Sequence, residues 1–130
     1  SCAPKIHPHG LILLCPGARL WFSCDQMAKA MKQMGQDYID VESVCFKASF
    51  NDEMAKHPDL FTEAKGYDGP VMLMRADDDH QVDEETCVRY AQLYRNAKFH
   101  KVSKGGHDFA SIEARDKVEQ TISSFIKEHI

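Results

Sequence analysis

Gly10-Leu-Ile-Leu-Leu-Cys15 is a short apolar run between turn residues, the mark of a buried strand. The pattern then changes period. Leu20, Cys24, Met27, Met31 and Met34 recur at helical spacing, so a helix with one face on a core is expected, with Gly35 as its C′ residue and Pro16 in its first turn. A second strand is expected within Tyr38 to Phe46, followed by a broken helical stretch from Asn51 to Lys65 that Gly66 and Asp68-Gly69-Pro70 end. Val71 to Met74 reads as a third buried strand. Glu84 to Arg95 reads as a helix capped by Asp83, with Cys87, Val88, Ala91 and Tyr94 inward. Lys98 to Val102 is the fourth strand. The last helix starts near Ser111 and carries Val118, Ile122, Phe125 and Ile126 on one face.

Strands alternating with helices imply parallel pairing, because each crossover helix returns the chain to the same end of the sheet. The expected fold class is therefore α/β, a mostly parallel sheet of about four strands with flanking helices, in the order β-α-β-α-β-α-β-α. Ligands of such sheets bind outside the carboxyl ends of the strands, which directs attention to 15–17, 47–51, 76–82 and 103–109. At 130 residues, with 43% hydrophobic and 28% charged residues, the chain suits one α/β domain over 1–130, residues 1–9 being a flexible amino-terminal segment. Sixteen basic against twenty acidic residues give a net charge of −4, and no basic run occurs, so nucleic acid is not an expected partner. Apolar runs are too short for a membrane span, so no membrane partner is expected either. Five cysteines without C-x-x-C spacing argue against a disulfide framework and a zinc knuckle, and for a reducing, cytoplasmic setting.

Chemistry concentrates in two of the strand-end segments. Arg75-Ala-Asp-Asp-Asp-His-Gln-Val82 follows the third strand, and Lys104-Gly-Gly-His-Asp-Phe109 follows the fourth, which puts Asp79 and His107 28 residues apart. A carboxylate beside an imidazole fixes its tautomer and stabilises the imidazolium, as a general base requires. These turns resemble those of the α/β-hydrolase superfamily, whose acid lies in a small-x-x-Asp-x-x-Val turn after one strand and whose His lies in a Gly-His turn after the next. By that resemblance Asp79 is the acid and His107 the general base. Without it, 77–79 is a solvated acidic turn and His107 an ordinary loop histidine.

Leu13-Leu14-Cys15-Pro16-Gly17 has the context of the superfamily's nucleophile: strand before, helix after, glycine at +2, and the chain order Cys15, Asp79, His107. A cysteine there is similar to the dienelactone hydrolases, with their G-x-C-x-G motif. The resemblance is strongest from Gly69 to Ile130, weaker from Gly10 to Phe50, and implies that the chain corresponds to the second half of such an enzyme. Two departures bear on the elbow. Leu13 stands where the motif has glycine. Pro16 lacks the N–H that would serve as an oxyanion donor, and it biases Cys15 toward extended backbone. The buried-hydrophobe reading of Cys15 stays open beside the nucleophile reading. A competing alignment makes Cys15-Pro-Gly17 an oxyanion turn, with Ser43 or Cys45 near a later strand. His7-Pro-His9 offers two metal ligands without a carboxylate, and no metal site is expected there. Met27, Met31, Met34 and Trp21 read as core.

The resemblance thus implies a hydrolase of a small ester, lactone or thioester acting through Cys15, His107 and Asp79, with no cofactor. The alternative is a non-catalytic α/β-hydrolase-like binding or interaction module. The expected partners are the small-molecule substrate and either a second copy, as a homo-oligomer, or the missing amino-terminal half, because a sheet without its early strands exposes an edge.

Overall fold

In the computed structural model of the chain, residues 2–18, 20–41, 44–57 and 59–129 are described, the side chains of 20–25, 41 and 44 excepted. Its elements in chain order are α1 Ala3–Ile6, β1 Leu11–Leu14, α2 Leu20–Met34, β2 Tyr38–Val41, β3 Val44–Lys47, α3 Ala48–Met54, α4 Leu60–Ala64, β4 Val71–Ala76, α5 Glu84–Leu93, β5 Ala97–Val102 and α6 Ile112–His129. They divide into two units, 1–17 with 61–130, and 18–60.

The first unit holds a parallel sheet of three strands in the order β1-β4-β5. β4 is central because all six of its residues can be buried: it is flanked in the sheet by both neighbours, and its side chains are covered on both faces. Register runs from Leu11 opposite Val71 to Leu14 opposite Met74, and from Val71 opposite Ala97 to Ala76 opposite Val102. The core gathers Met72, Met74, Ala76, Val82, Cys87, Val102, Phe109, Ala114 and Phe125, with Val118 and Ile122 packed against it. α5 is capped as its sequence predicts, Asp83 accepting from the Thr86 N–H at 2.9 Å; it buries Cys87 and Tyr90, and Tyr94, the residue after it, is buried as well. On α6 the buried stripe is Ala114 to Phe125, while Ile126 is exposed. The amino-terminal residues form the helical turn α1, and the Tyr67 hydroxyl donates to the Pro8 carbonyl at 2.9 Å.

The second unit corrects the reading of residues 38–46 as one strand of the parallel sheet. β2 and β3 instead pair antiparallel, Tyr38 opposite Lys47 and Val41 opposite Val44. A hairpin forms its own ladder and needs no crossover, so this segment contributes nothing to β1-β4-β5. α2 ends at a Schellman motif: Gly35 adopts φ +65, its N–H bonds the Lys32 carbonyl, and the Gln36 N–H bonds the Met31 carbonyl. The helix begins at Leu20, so Pro16 is not in its first turn. Its methionines separate by face. Met31 is buried and accepts a hydrogen bond from the Asn51 side chain, whereas Met27 and Met34 are exposed, because the buried stripe is centred on Ala28 and Met31. The side chains of Leu20, Trp21 and Cys24, and the whole of Ser43, lie outside the described residues. Among the described residues no helix is long and apolar enough to cross a membrane.

Candidate active site

Adjacent parallel strands deliver their carboxyl ends to one edge, and the turns after β4 and β5 meet there. The Asp77 N–H continues the ladder by donating to the Val102 carbonyl at 2.9 Å. Beyond it the three consecutive aspartates have separate tasks. Asp77 accepts from the Lys104 N–H at 2.8 Å and from the Ser103 hydroxyl at 3.3 Å. Its carboxyl is held below the usual range chiefly by that Lys104 bond. Asp78 accepts from the Gly106 N–H at 2.8 Å. Asp79 Oδ1 accepts from the Gln81 and Val82 N–H groups at 2.8 and 3.0 Å, and its Oδ2 lies 3.1 Å from His107 Nδ1. The acidic turn is therefore not merely a solvated loop: two carboxylates tie down the histidine turn and the third holds the histidine.

The histidine turn takes a shape that extended backbone cannot give. Lys104, Gly106 and Phe109 all have positive φ, and the Ala110 N–H closes the turn on the Gly105 carbonyl at 2.8 Å. Gly105 is required for packing, since a Cβ there would meet the Ala76 Cβ and a Phe109 ring carbon at 3.1 Å and the Ala114 Cβ at 3.2 Å. His107 remains 30% exposed while the Asp79 side chain is fully buried. Nδ1 faces the carboxylate, so Nε2 is the nitrogen available for proton transfer.

Arg75, which sequence reasoning passed over, secures the turn from below. Buried at the end of β4, it donates from Nε to the Val82 carbonyl at 2.6 Å and from a terminal nitrogen to the Asp79 carbonyl at 2.7 Å. A single charged residue inside the apolar run 71–76 was the signal that could have found it.

Cys15 joins this cluster from the end of β1. Its N–H donates to the Met74 carbonyl at 2.9 Å and then the chain turns sharply, Cys15 having φ +44. This corrects the expectation that Pro16 holds Cys15 extended: the left-handed conformation, uncommon in a residue that is not glycine, ends the strand abruptly. The thiol donates to the His107 carbonyl oxygen, 3.4 Å away, and lies beside the Asp79 carboxylate. Sγ, a carboxylate oxygen of Asp79 and a ring nitrogen of His107 all lie within 4.8 Å of one another. Burial first, then the hydrogen bond to Asp79 and that residue's charge, push the Cys15 thiol up to about 12. For Asp79 burial alone would raise the carboxyl, but bonds from Val82, His107, Gln81 and Cys15 outweigh it and hold the value at about 2. Pro16 leaves the position after Cys15 without an N–H to offer an oxyanion. Of the remaining candidates, Cys45 is exposed on β3, and His7 and His9 flank the end of α1. Neither belongs to the cluster, which among the described residues comprises Cys15, Asp79 and His107.

The fold is that of the α/β-hydrolases. Solved structures of Est1E from Butyrivibrio proteoclasticus, one of them with ferulic acid bound, superpose on 98% of this chain with a TM-score of 0.76 at 19% identity. Alpha/beta hydrolase domain-containing protein 10 from mouse superposes on 92% of it with a TM-score of 0.70 at 16% identity. The chain spans about half the length of these proteins, 52 to 54%. No protein-family model and no curated protein matches the sequence.

Proposed function

We propose that the chain carries the acid and general base of a hydrolase acting on a small ester, lactone or thioester. The observation that carries this reading is the pair formed by the buried Asp79 and the half-exposed His107 at the carboxyl edge of a parallel sheet. Asp79 stays ionised, fixes the proton of the imidazole on Nδ1, and stabilises the imidazolium that forms when Nε2 takes a proton from the nucleophile. Cys15 is the nucleophile within reach, which would make the site dienelactone hydrolase-like. In that mechanism its thiol passes its proton to His107, the thiolate attacks the carbonyl carbon, the leaving group departs with a proton from His107, and water then hydrolyses the acyl-enzyme.

One observation favours a second reading of the nucleophile. A thiol pushed to about 12 and turned toward a carboxylate is held in its neutral form. Cys15 then serves to close the acid side of the site, and the nucleophile comes from a segment beyond these residues. In keeping with that, the chain spans about half of the structures it resembles, and β1 and β5 are the edges of the three-stranded sheet. The partner is then a complementary half, or a second copy, added at a sheet edge.

Hydrolysis of p-nitrophenyl acetate by the chain and by Cys15→Ser and His107→Ala tests these readings. Turnover lost in both variants supports Cys15 as nucleophile. The second reading expects no turnover by the chain alone and, once a segment carrying the nucleophile is supplied, turnover that His107→Ala abolishes and Cys15→Ser leaves unchanged. Turnover indifferent to His107 refutes the hydrolase proposal and leaves a non-catalytic binding module.

A further inference from the structure

The same cluster has the composition of a metal site. A thiol, a carboxylate and an imidazole converge with their donor atoms within 4.8 Å of one another, two of them on buried residues. In a tetrahedral zinc site, bonds of about 2.0 to 2.3 Å place donor atoms roughly 3.3 to 3.8 Å apart, so closure here requires movements of about 1 Å, within the reach of small side-chain rotations. The approach of Asp79 Oδ2 to His107 Nδ1, 3.1 Å, is already that close. We propose that Cys15, Asp79 and His107 bind one borderline-soft divalent cation of the Zn2+ type.

Three features of the surroundings favour it. The Gln81 and Val82 N–H groups hold Asp79 Oδ1, which orients Oδ2 toward the other donors as an outer hydrogen-bond shell does in metal sites. The exposed face of His107 gives a path of entry. Asp77 and Asp78, both exposed on the same turn, draw cations toward it. The donor set also discriminates: sulfur and nitrogen suit Zn2+, Co2+ and Cd2+, whereas Mg2+ and Ca2+ demand more oxygen ligands than the cluster contains. Binding exchanges the thiol proton, released to buffer, for the metal. The imidazole coordinates through Nδ1, the nitrogen that faces Asp79, with its proton on Nε2, so the Asp79–His107 hydrogen bond is replaced by shared coordination. Three protein ligands leave a fourth position open to water.

The proposal does not rest on the hydrolytic reading, and binding is read without any substrate. The chain is stripped with a chelator and titrated with Co2+, then with Zn2+ against a chromophoric competitor. The expected result is one equivalent of tightly bound Co2+ with a near-ultraviolet thiolate-to-metal charge-transfer band that Zn2+ bleaches. Cys15→Ser should abolish the band, and Asp79→Ala and His107→Ala should each weaken binding by roughly tenfold or more. Circular dichroism distinguishes a lost ligand from a lost fold, and the band of the unaltered chain does not depend on any variant folding. A joint His7→Ala and His9→Ala variant should bind as the parent does. The proposal is overturned by absence of the band up to millimolar Co2+, by a band that survives Cys15→Ser, or by binding that only the His7 and His9 replacement removes.

Discussion

Replacing Asp79 by Asn keeps the size of the side chain and one acceptor oxygen for the Gln81 and Val82 N–H groups, but removes the charge on which His107 and Cys15 depend. The magnitude follows from the carboxyl itself, whose value is held at about 2 against an ordinary 3.8. At about 1.4 kcal/mol per pH unit the difference contributes about 2 to 3 kcal/mol to folding at neutral pH, a large share of the stability of a small domain. The folded-state value is depressed, so this contribution is fully present above 3.8 and is lost as pH falls through about 2. Urea unfolding in chelator-containing buffer should therefore show Asp79→Asn less stable by about 2 to 3 kcal/mol at about pH 7, with the deficit halved near pH 3. The same variant removes two of the causes that raise the Cys15 thiol, so that thiol should alkylate faster at about pH 9 than in the parent. A deficit independent of pH between about 7 and 3, or an unchanged Cys15 alkylation rate, would refute the electrostatic coupling argued for this cluster.

At about pH 7 iodoacetamide should label the exposed Cys2 and Cys45 promptly and spare Cys15 and Cys87, whose thiols burial pushes up to about 12 and about 11; peptide mapping that finds Cys15 labelled first would contradict this. Because those folded-state values are raised, the associated stability is present below the ordinary 9.0 and is lost as pH rises toward 11 and 12, so alkaline unfolding should soften there, and less so in Cys15→Ala. Arg75→Met should cost about 2 to 3 kcal/mol in urea unfolding, since the Val82 and Asp79 carbonyls lose a charged donor, and Arg75→Lys should recover only part because one ammonium cannot fork to both; full recovery would count against the clamp. Gly106→Ala should cost about 1 kcal/mol for its φ of +62, and Gly105→Ala more, because its Cβ meets three neighbours within 3.2 Å; the reverse order would mean that strain, not packing, dominates the histidine turn.

β1 and β4 were legible because they are short apolar runs closed by turn residues, and burial of β4 on both faces leaves no polar position inside it except Arg75. Residues 38–47 misled for a physical reason. Their apolar positions suit a strand in either setting, and hydrophobicity alone does not decide whether such a strand joins a parallel sheet or pairs antiparallel with its successor, as β2 does with β3. The methionine stripe of α2 shows the same limit at the level of one side chain. A spacing of three and four marks a face, but exposed Met27 and Met34 beside buried Met31 show that the covered part of that face can be narrow.

At the site, spacing located residues but not the directions of their atoms. Asp79 and His107 follow adjacent strands, so topology alone brings them to one edge, and the 27 residues between them include one helix and one strand. Cys15 reaches the same edge by the same logic, yet its function turns on what its sulfur faces. A thiol beside the free nitrogen of His107 would be activated by it, whereas one turned toward Asp79 is kept protonated, and the difference is a rotation that no residue pattern encodes. The neighbouring aspartates carry the complementary lesson. Three in a row look like a solvated turn, but each carboxylate bonds a different part of the next loop, because the turn after β4 lies against the turn after β5. A polar run at the end of a buried central strand is therefore better read as a set of tethers awaiting partners on the adjacent strand's turn, and here those tethers fix the one imidazole on which both the hydrolytic and the metal-binding proposals depend.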